Sequence, residues 1–185
     1  QKLVKEIHIN SNANKIIITT FTGGKFMNKA APLFICTVLL TGCVFQGDKL
    51  QFESLARGES SYRGEDPLLF VVTSYDDTAA FTQYIGIGTQ DALKRIDYQQ
   101  YVVICVFLGC KGEGSAIEIK ELIRKEEAIV LLTVFQEPEL GKTLPGYASP
   151  FHLIKVSKSE IRLVGEVSFL LEDTRGFLHA KVRVE

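Results

Sequence analysis

Apolar residues run unbroken at Leu68–Val72 and at Tyr101–Leu108, and alternate with polar ones over much of the chain beyond Leu108. Unbroken runs of five to eight residues bounded by turn formers predict strands buried on both faces. The first run follows Pro67. Ser74, with Asp77 three residues on, marks a helix start with acids in its first turn. Ala80, Phe81, Tyr84 and Ile85 then share one helical face, and Gly86 and Gly88 end it. Thr89 begins a second short helix that turns Leu93 and Ile96 inward. Gly109–Gly114 reads as a turn. Ile117, Ile119 and Ile123 alternate with Glu118, Lys120 and Leu122, so that strand has one wet face. Glu126-Glu127 is a hairpin tip and Ala128–Phe135 the returning strand. Glu137–Ala148, with two Pro and two Gly, is a long loop. Phe151–Val156 is a strand, Lys158-Ser159-Glu160 a turn into a strand over Ile161–Leu171, and Phe177–Val184 closes the sheet.

The spacing of turn signals predicts antiparallel connections. The fold class is therefore α+β, mainly β: an antiparallel sandwich- or barrel-like sheet with one or two short helices. The 185 residues are 46% apolar and 23% charged, as in an ordinary globular domain. A net charge of −1 gives no basic field for nucleic acid, and the tyrosines are not interleaved with Lys or Arg.

The sole Met stands at position 27. From it run a short basic start, an apolar stretch of about a dozen residues, and Leu40-Thr41-Gly42-Cys43. This quartet resembles a bacterial lipobox. The resemblance implies that the Cys43 thiol accepts a diacylglyceryl group and that cleavage before it makes Cys43 the first mature residue. The organisation expected is an upstream extension over 1–26, a lipoprotein signal peptide over 27–42, a tether over 43–52, and one globular domain over 53–185. Removing residues 1–42, which hold five Lys and one Glu, leaves 16 basic and 21 acidic groups and a net charge of −5. Attachment then falls to acyl chains rather than to attraction for anionic lipid. The expected location is the cell membrane or outer membrane, facing the extracytoplasmic side.

Only Cys105 and Cys110 remain beyond Cys43. In an extended chain they stand about 16 Å apart, beyond disulfide reach. Buried thiols acting as small apolar groups are the expectation, and a bridge needs a sharp bend near Gly109. No metal-ligand spacing appears, and no cofactor is expected. A nucleophile elbow, a P-loop, an HExxH and a dinucleotide fingerprint are all missing. Ser115 and His152 are the one candidate nucleophile and base, but the sequence offers no acid behind His152. That ring is expected on one face of its strand, capping the sheet or facing solvent. The paired acids Asp76-Asp77 and Glu126-Glu127 are expected to be solvated.

Two segments together resemble the protease complex subunit PrcB family. One is Tyr101–Gly109 followed by Lys111-Gly112-Glu113-Gly114-Ser115-Ala116. The other is Pro150-Phe151-His152 running to Lys158. The resemblance covers 101–158. In that family an apolar strand ends in Phe-x-Gly, a Lys-Pro-Thr-Gly-Gly-Tyr-like turn follows, and a Pro-Tyr-His-like segment ends in Lys. Here Gly112-Glu113 replaces Pro-Thr, Ala116 takes the Tyr position, and Phe151 stands before His152 in place of Tyr. The resemblance implies a lipid-anchored accessory subunit without catalysis of its own, assisting an envelope protease or another surface protein. It makes Lys111, Gly112, Glu113, Gly114 and Ser115 the candidate partner-binding turn. A second reading is a protease inhibitor, with this turn and the loop over 137–148 protruding from one end of a sandwich, similar in shape to chagasin-like inhibitors. A third is an enzyme whose site one sequence does not reveal.

Overall fold

The computed structural model describes residues 4–10, 15–21, 47–138, 146–162 and 165–184. The lipobox, Cys43 and the signal segment lie outside them, as does the middle of the loop over 137–148.

In chain order the strands and helices are β1 (Val4–Asn10), β2 (Lys15–Phe21), β3 (Asp48–Leu50), β4 (Glu53–Glu59), β5 (Leu68–Val72), α1 (Ala79–Thr82), α2 (Ile87–Lys94), β6 (Tyr101–Phe107), β7 (Lys111–Gly112), β8 (Ala116–Lys125), β9 (Ala128–Gln136), β10 (Tyr147–Ala148), β11 (Pro150–Ser157), α3 (Lys158–Ile161), β12 (Val167–Asp173) and β13 (Leu178–Val184). The class is α+β, mainly β. One sheet has the order β1-β2-β13-β12-β9-β8-β3 and a second β4-β11-β6-β5, while β7 and β10 form a separate two-stranded ladder.

The long apolar run becomes β6, the strand flanked by β11 and β5. Its two faces have different covers. Phe107 meets the rings of Phe81 and Tyr84 from the helical segment, and those of Tyr62, Phe70 and Phe151. Val106 is the register partner of His152, whose ring reaches the other sheet. Both faces are dry, and every position of β6 after Tyr101 is buried and apolar. One apolar cluster joins the two sheets, with Leu69, Ile104 and Leu153 from one and Leu122, Leu131, Phe169 and Val182 from the other. Each such side chain contributes about 1.5–3 kcal/mol relative to exposure, and the core holds without a crosslink. Among the described residues, Cys105 and Cys110 are free thiols, the first buried.

The chain departs from the sequence expectations at definite points. Gly86 and Gly88 do not end the first helix: Gly86 is the extended N-cap of α2, and Gly88 lies inside it. The 109–114 turn contains β7, which pairs with β10 across the long loop. Asp48–Leu50 is a strand on β8, inside the stretch expected as a tether, and Leu50 is buried. Residues 158–161 form a helical turn, and the strand expected from Ile161 begins at Val167.

The expected alternation in β8 fails halfway. Ile119 pairs with Thr133 and Glu121 with Leu132, so Lys120 is an extra residue. Such a bulge exchanges the faces beyond it, and Leu122 becomes fully buried in place of Ile123. One ladder is parallel: β12 on β9. A parallel pair needs a crossover, and here β11, in the other sheet, lies on it. No helix among the described residues is long and apolar enough to cross a membrane.

Candidate functional site

The residues singled out in the sequence fall at two places. Pro150, Phe151 and His152 open β11 at the centre of the sandwich. Phe151 is buried and stacks on Phe107 at 5.9 Å between centroids, and Pro150 O accepts from Leu108 N at 2.9 Å. Lys158 begins α3, with its backbone N–H on Gln100 O at 2.8 Å and Nζ 3.5 Å from Thr73 O. These four are framework residues.

His152 is wholly buried, contrary to the expectation of a sheet cap or a solvent-facing ring. It spans the two sheets. The cause lies at an edge: β3 covers β8 only over Leu122–Arg124. Ile119 lies beyond that cover and its N–H donates to His152 Nδ1 at 2.9 Å. On the other side of the ring, Nε2 is 2.9 Å from Ser54 Oγ and 3.1 Å from Arg57 Nε.

Ser115 and His152, the candidate nucleophile and base, are not hydrogen-bonded to each other; the serine on the ring is Ser54. This resembles a nucleophile–base pair in distance alone. A neutral imidazole has one N–H, yet the N–H groups of Ile119 and of Arg57 Nε point at Nδ1 and Nε2 respectively. The ring satisfies one of them with a lone pair and sets its own proton against the other. The Arg57 charge is met by Glu118 at 2.9 Å, itself paired with Lys120. Burial, and then the Arg57 guanidinium, push the His152 pKa from 6.5 down to about 4, against a smaller opposing pull from Glu118. A general base of this kind is oriented by an acceptor on its far nitrogen, and here that nitrogen, Nδ1, meets the backbone N–H of Ile119. The cluster is built as a pin between sheets.

The turn Lys111–Ser115 lies at one end of the sandwich. Ser115 N donates to Gly112 O at 3.2 Å, closing a four-residue turn whose third position, Gly114, has φ +89°. A positive φ at that position is the reason for a glycine. Gly109, at φ +87°, has no room for a side chain: a Cβ there would lie 2.6 Å from Glu65 O. The β7–β10 ladder and the bond from Glu113 N to Gly146 O hold the turn against the far end of the loop. Lys111 Nζ reaches Glu65 O at 2.9 Å.

Beside the turn is a groove of about 820 Å³, lined among others by Lys111, Ser115, Glu137, Asp173, Phe177 and His179. Its other wall is the tip joining β12 to β13. Asp173 is buried there. It accepts from the backbone N–H of Arg175 at 2.9 Å and of Phe177 at 3.0 Å, and from Arg175 Nε and Nη2 at 3.1 and 3.0 Å. Burial alone would raise its pKa. The donors, with Phe177 N the largest among them, outweigh that and hold it at about 2. His179 Nε2 is 3.3 Å from Asp173 Oδ2 without a well-directed hydrogen bond, and its ring meets Phe135 edge-on at 4.5 Å. The carboxylate is thus committed to folding the tip. What the tip offers outward is Phe177, 61% exposed, with the Arg175 guanidinium over its ring at 5.3 Å. Tyr147, on the strand paired with the turn, is 79% exposed.

One wall of this groove, the glycine-rich turn, stands out in the sequence, and the other does not. The signal was Asp173-Thr174-Arg175-Gly176 between two alternating strands, with Asp first and Gly last as tight turns require. Gly176 takes φ +82°. No group of three metal-ligating side chains suited to an ion occurs among the described residues. No family model, curated protein or solved structure matches this chain.

Proposed function

We propose that this chain is a lipid-anchored, non-catalytic envelope protein that assists a surface protease complex, or another surface protein, through the groove at the end of its sandwich. The observation that carries the reading is the pairing of exposed aromatic and Arg side chains around that groove. Arg175 stacks on exposed Phe177, and Tyr147 stands out beside the braced turn. Arg, Tyr and Phe are residue types that anchor protein interfaces. A stiff turn and a hydrogen-bonded tip reduce the ordering cost of docking. The Ser54–His152 pair lends no support to hydrolysis, because a backbone N–H and not a carboxylate stands behind the ring at Nδ1. The membrane anchor follows from the lipobox resemblance at Cys43, and the choice of a protease complex from the PrcB-like segments.

The test is affinity capture of the tagged full-length chain from detergent-solubilised membranes, with intact mass of the bait. The expected result is a stoichiometric envelope protein that is lost with Phe177→Asp, and a bait that begins at a diacylglycerylated Cys43. A bait captured alone, or a partner retained equally by Phe177→Asp, overturns the docking reading. An unlipidated bait overturns the anchor.

A further inference from the structure

The outer edge of β13 is occupied by the chain's own upstream segment. β2 pairs antiparallel with it, in the register Ala180 to Thr20, Lys181 to Thr19, Val182 to Ile18 and Arg183 to Ile17. β2 is in turn the inner strand of a hairpin with β1. This hairpin precedes, in the sequence, the cleavage position that the lipobox resemblance implies. Removal of residues 1–42 would therefore take β1 and β2 away and leave the β13 edge with unpaired N–H and C=O groups.

The strand itself has reasons to persist without that cover. β12 pairs with it along the other edge from Val167 to Glu172. Ala180, Val182 and Val184 are buried in the core shared with the other sheet. A formed strand with an open edge is a template for another chain. Its outward face is basic: Lys181 is half-buried and Arg183 exposed, the latter with Nε 3.3 Å from Glu166. The present occupant shows what the edge takes, a run of β-branched residues, Ile16-Ile17-Ile18-Thr19-Thr20.

We propose that the outer edge of β13 is a strand-acceptor site for a partner protein. The partner supplies an extended, β-branched segment, antiparallel to Ala180–Arg183, with neutral or acidic residues opposite Lys181 and Arg183. Main-chain hydrogen bonds provide affinity, and the two cations provide selection. The proposal rests on the reading that residues 1–42 are removed.

The test uses the full-length chain carrying Ile18→Pro, which takes one donor out of the β2 ladder, and a labelled synthetic peptide with the sequence of residues 14–22. Hydrogen exchange is expected to quicken at β13 amides facing β2, while those paired to β12 stay protected. The peptide should bind the variant saturably, restore that protection, and bind the unsubstituted chain on the order of tenfold more weakly, because there the tethered strand competes. A Thr19→Glu peptide should bind more tightly than Thr19→Lys. Unchanged exchange in the variant, or a peptide that binds neither chain, overturns the acceptor. Should the variant fail to fold, competition between the two peptides on the unsubstituted chain gives the same reading, and equal affinities contradict the charge preference. Intact mass of the membrane-extracted chain separates the two ideas. A chain that starts at Cys43 but ignores the peptide removes the acceptor alone. A chain that retains residues 1–42 removes the processing reading, and with it the vacancy the partner would fill.

Discussion

His152 is neutral and reaches the other sheet through Nδ1, while Nε2 meets Ser54 and Arg57 on the neighbouring strand β4 of its own sheet. Protonation would set a second N–H against the Ile119 N–H and a cation beside Arg57. Its folded pKa, about 4, lies below the ordinary 6.5. The unfolded chain therefore takes up the proton first as pH falls. The stabilisation is complete above pH 6.5 and is lost progressively down to about pH 4, a loss of roughly 3 kcal/mol. Asp173 behaves as a stabilised carboxylate: its contribution is present above its ordinary 3.8 and disappears only as pH falls towards about 2. The two windows are separate. Denaturant unfolding at pH 7 and pH 4.5 should show the drop in the native chain. His152→Gln should be less stable at pH 7 and lose its pH slope over that interval. A slope unchanged by the substitution would contradict the role given to the ring.

At the scale of elements, β8 decides how the two sheets meet. Its bulge at Lys120 puts Leu122 in the core, β3 covers the edge beyond, and His152 takes the amide that β3 leaves. Leu50 makes β3 part of the core although it stands close to the expected anchor. Leu50→Ala is expected to cost about 2–3 kcal/mol by loss of buried volume, read as a lower denaturant midpoint; a neutral result would return that stretch to the tether. The elements legible in the sequence were those whose pattern is local. β5, β6 and β9 are apolar runs between turn residues, and the Ser74–Asp77 signal appears as a bond from Ser74 Oγ to Asp77 Oδ2 at 2.8 Å, which leaves Asp77 buried and not solvated as expected. The illegible ones depend on distant chain. A two-residue ladder between β7 and β10 has no pattern of its own. A bulge is one extra residue in an otherwise regular alternation. Ser54 and His152 are 98 residues apart in sequence, so their contact exists only after β4 and β11 pair. The groove was half legible for the same reason: the turn at 111–115 is a glycine signature, whereas Asp173 becomes a buried staple only through the N–H groups that close on it.

Over the whole molecule, the buried polar groups His152 and Asp173 serve the fold. The core carries a histidine pinned by donors and a carboxylate committed to a turn. The groove between the 111–115 turn and the 173–178 tip carries exposed Phe177 with the Arg175 guanidinium over its ring, and exposed Tyr147 lies on the strand paired with the turn. Away from that groove, Ile87 is exposed on α2 at 76% and supplies a comparison of similar accessibility. The groove end is the face proposed to dock the partner. Its most direct measurement is site-specific photo-crosslinking in native membranes, with the crosslinking residue placed at Tyr147, at Phe177 or at Ile87 of the full-length chain. Positions 147 and 177 are expected to give one crosslinked envelope protein, and position 87 none. A product from position 87 alone would contradict it.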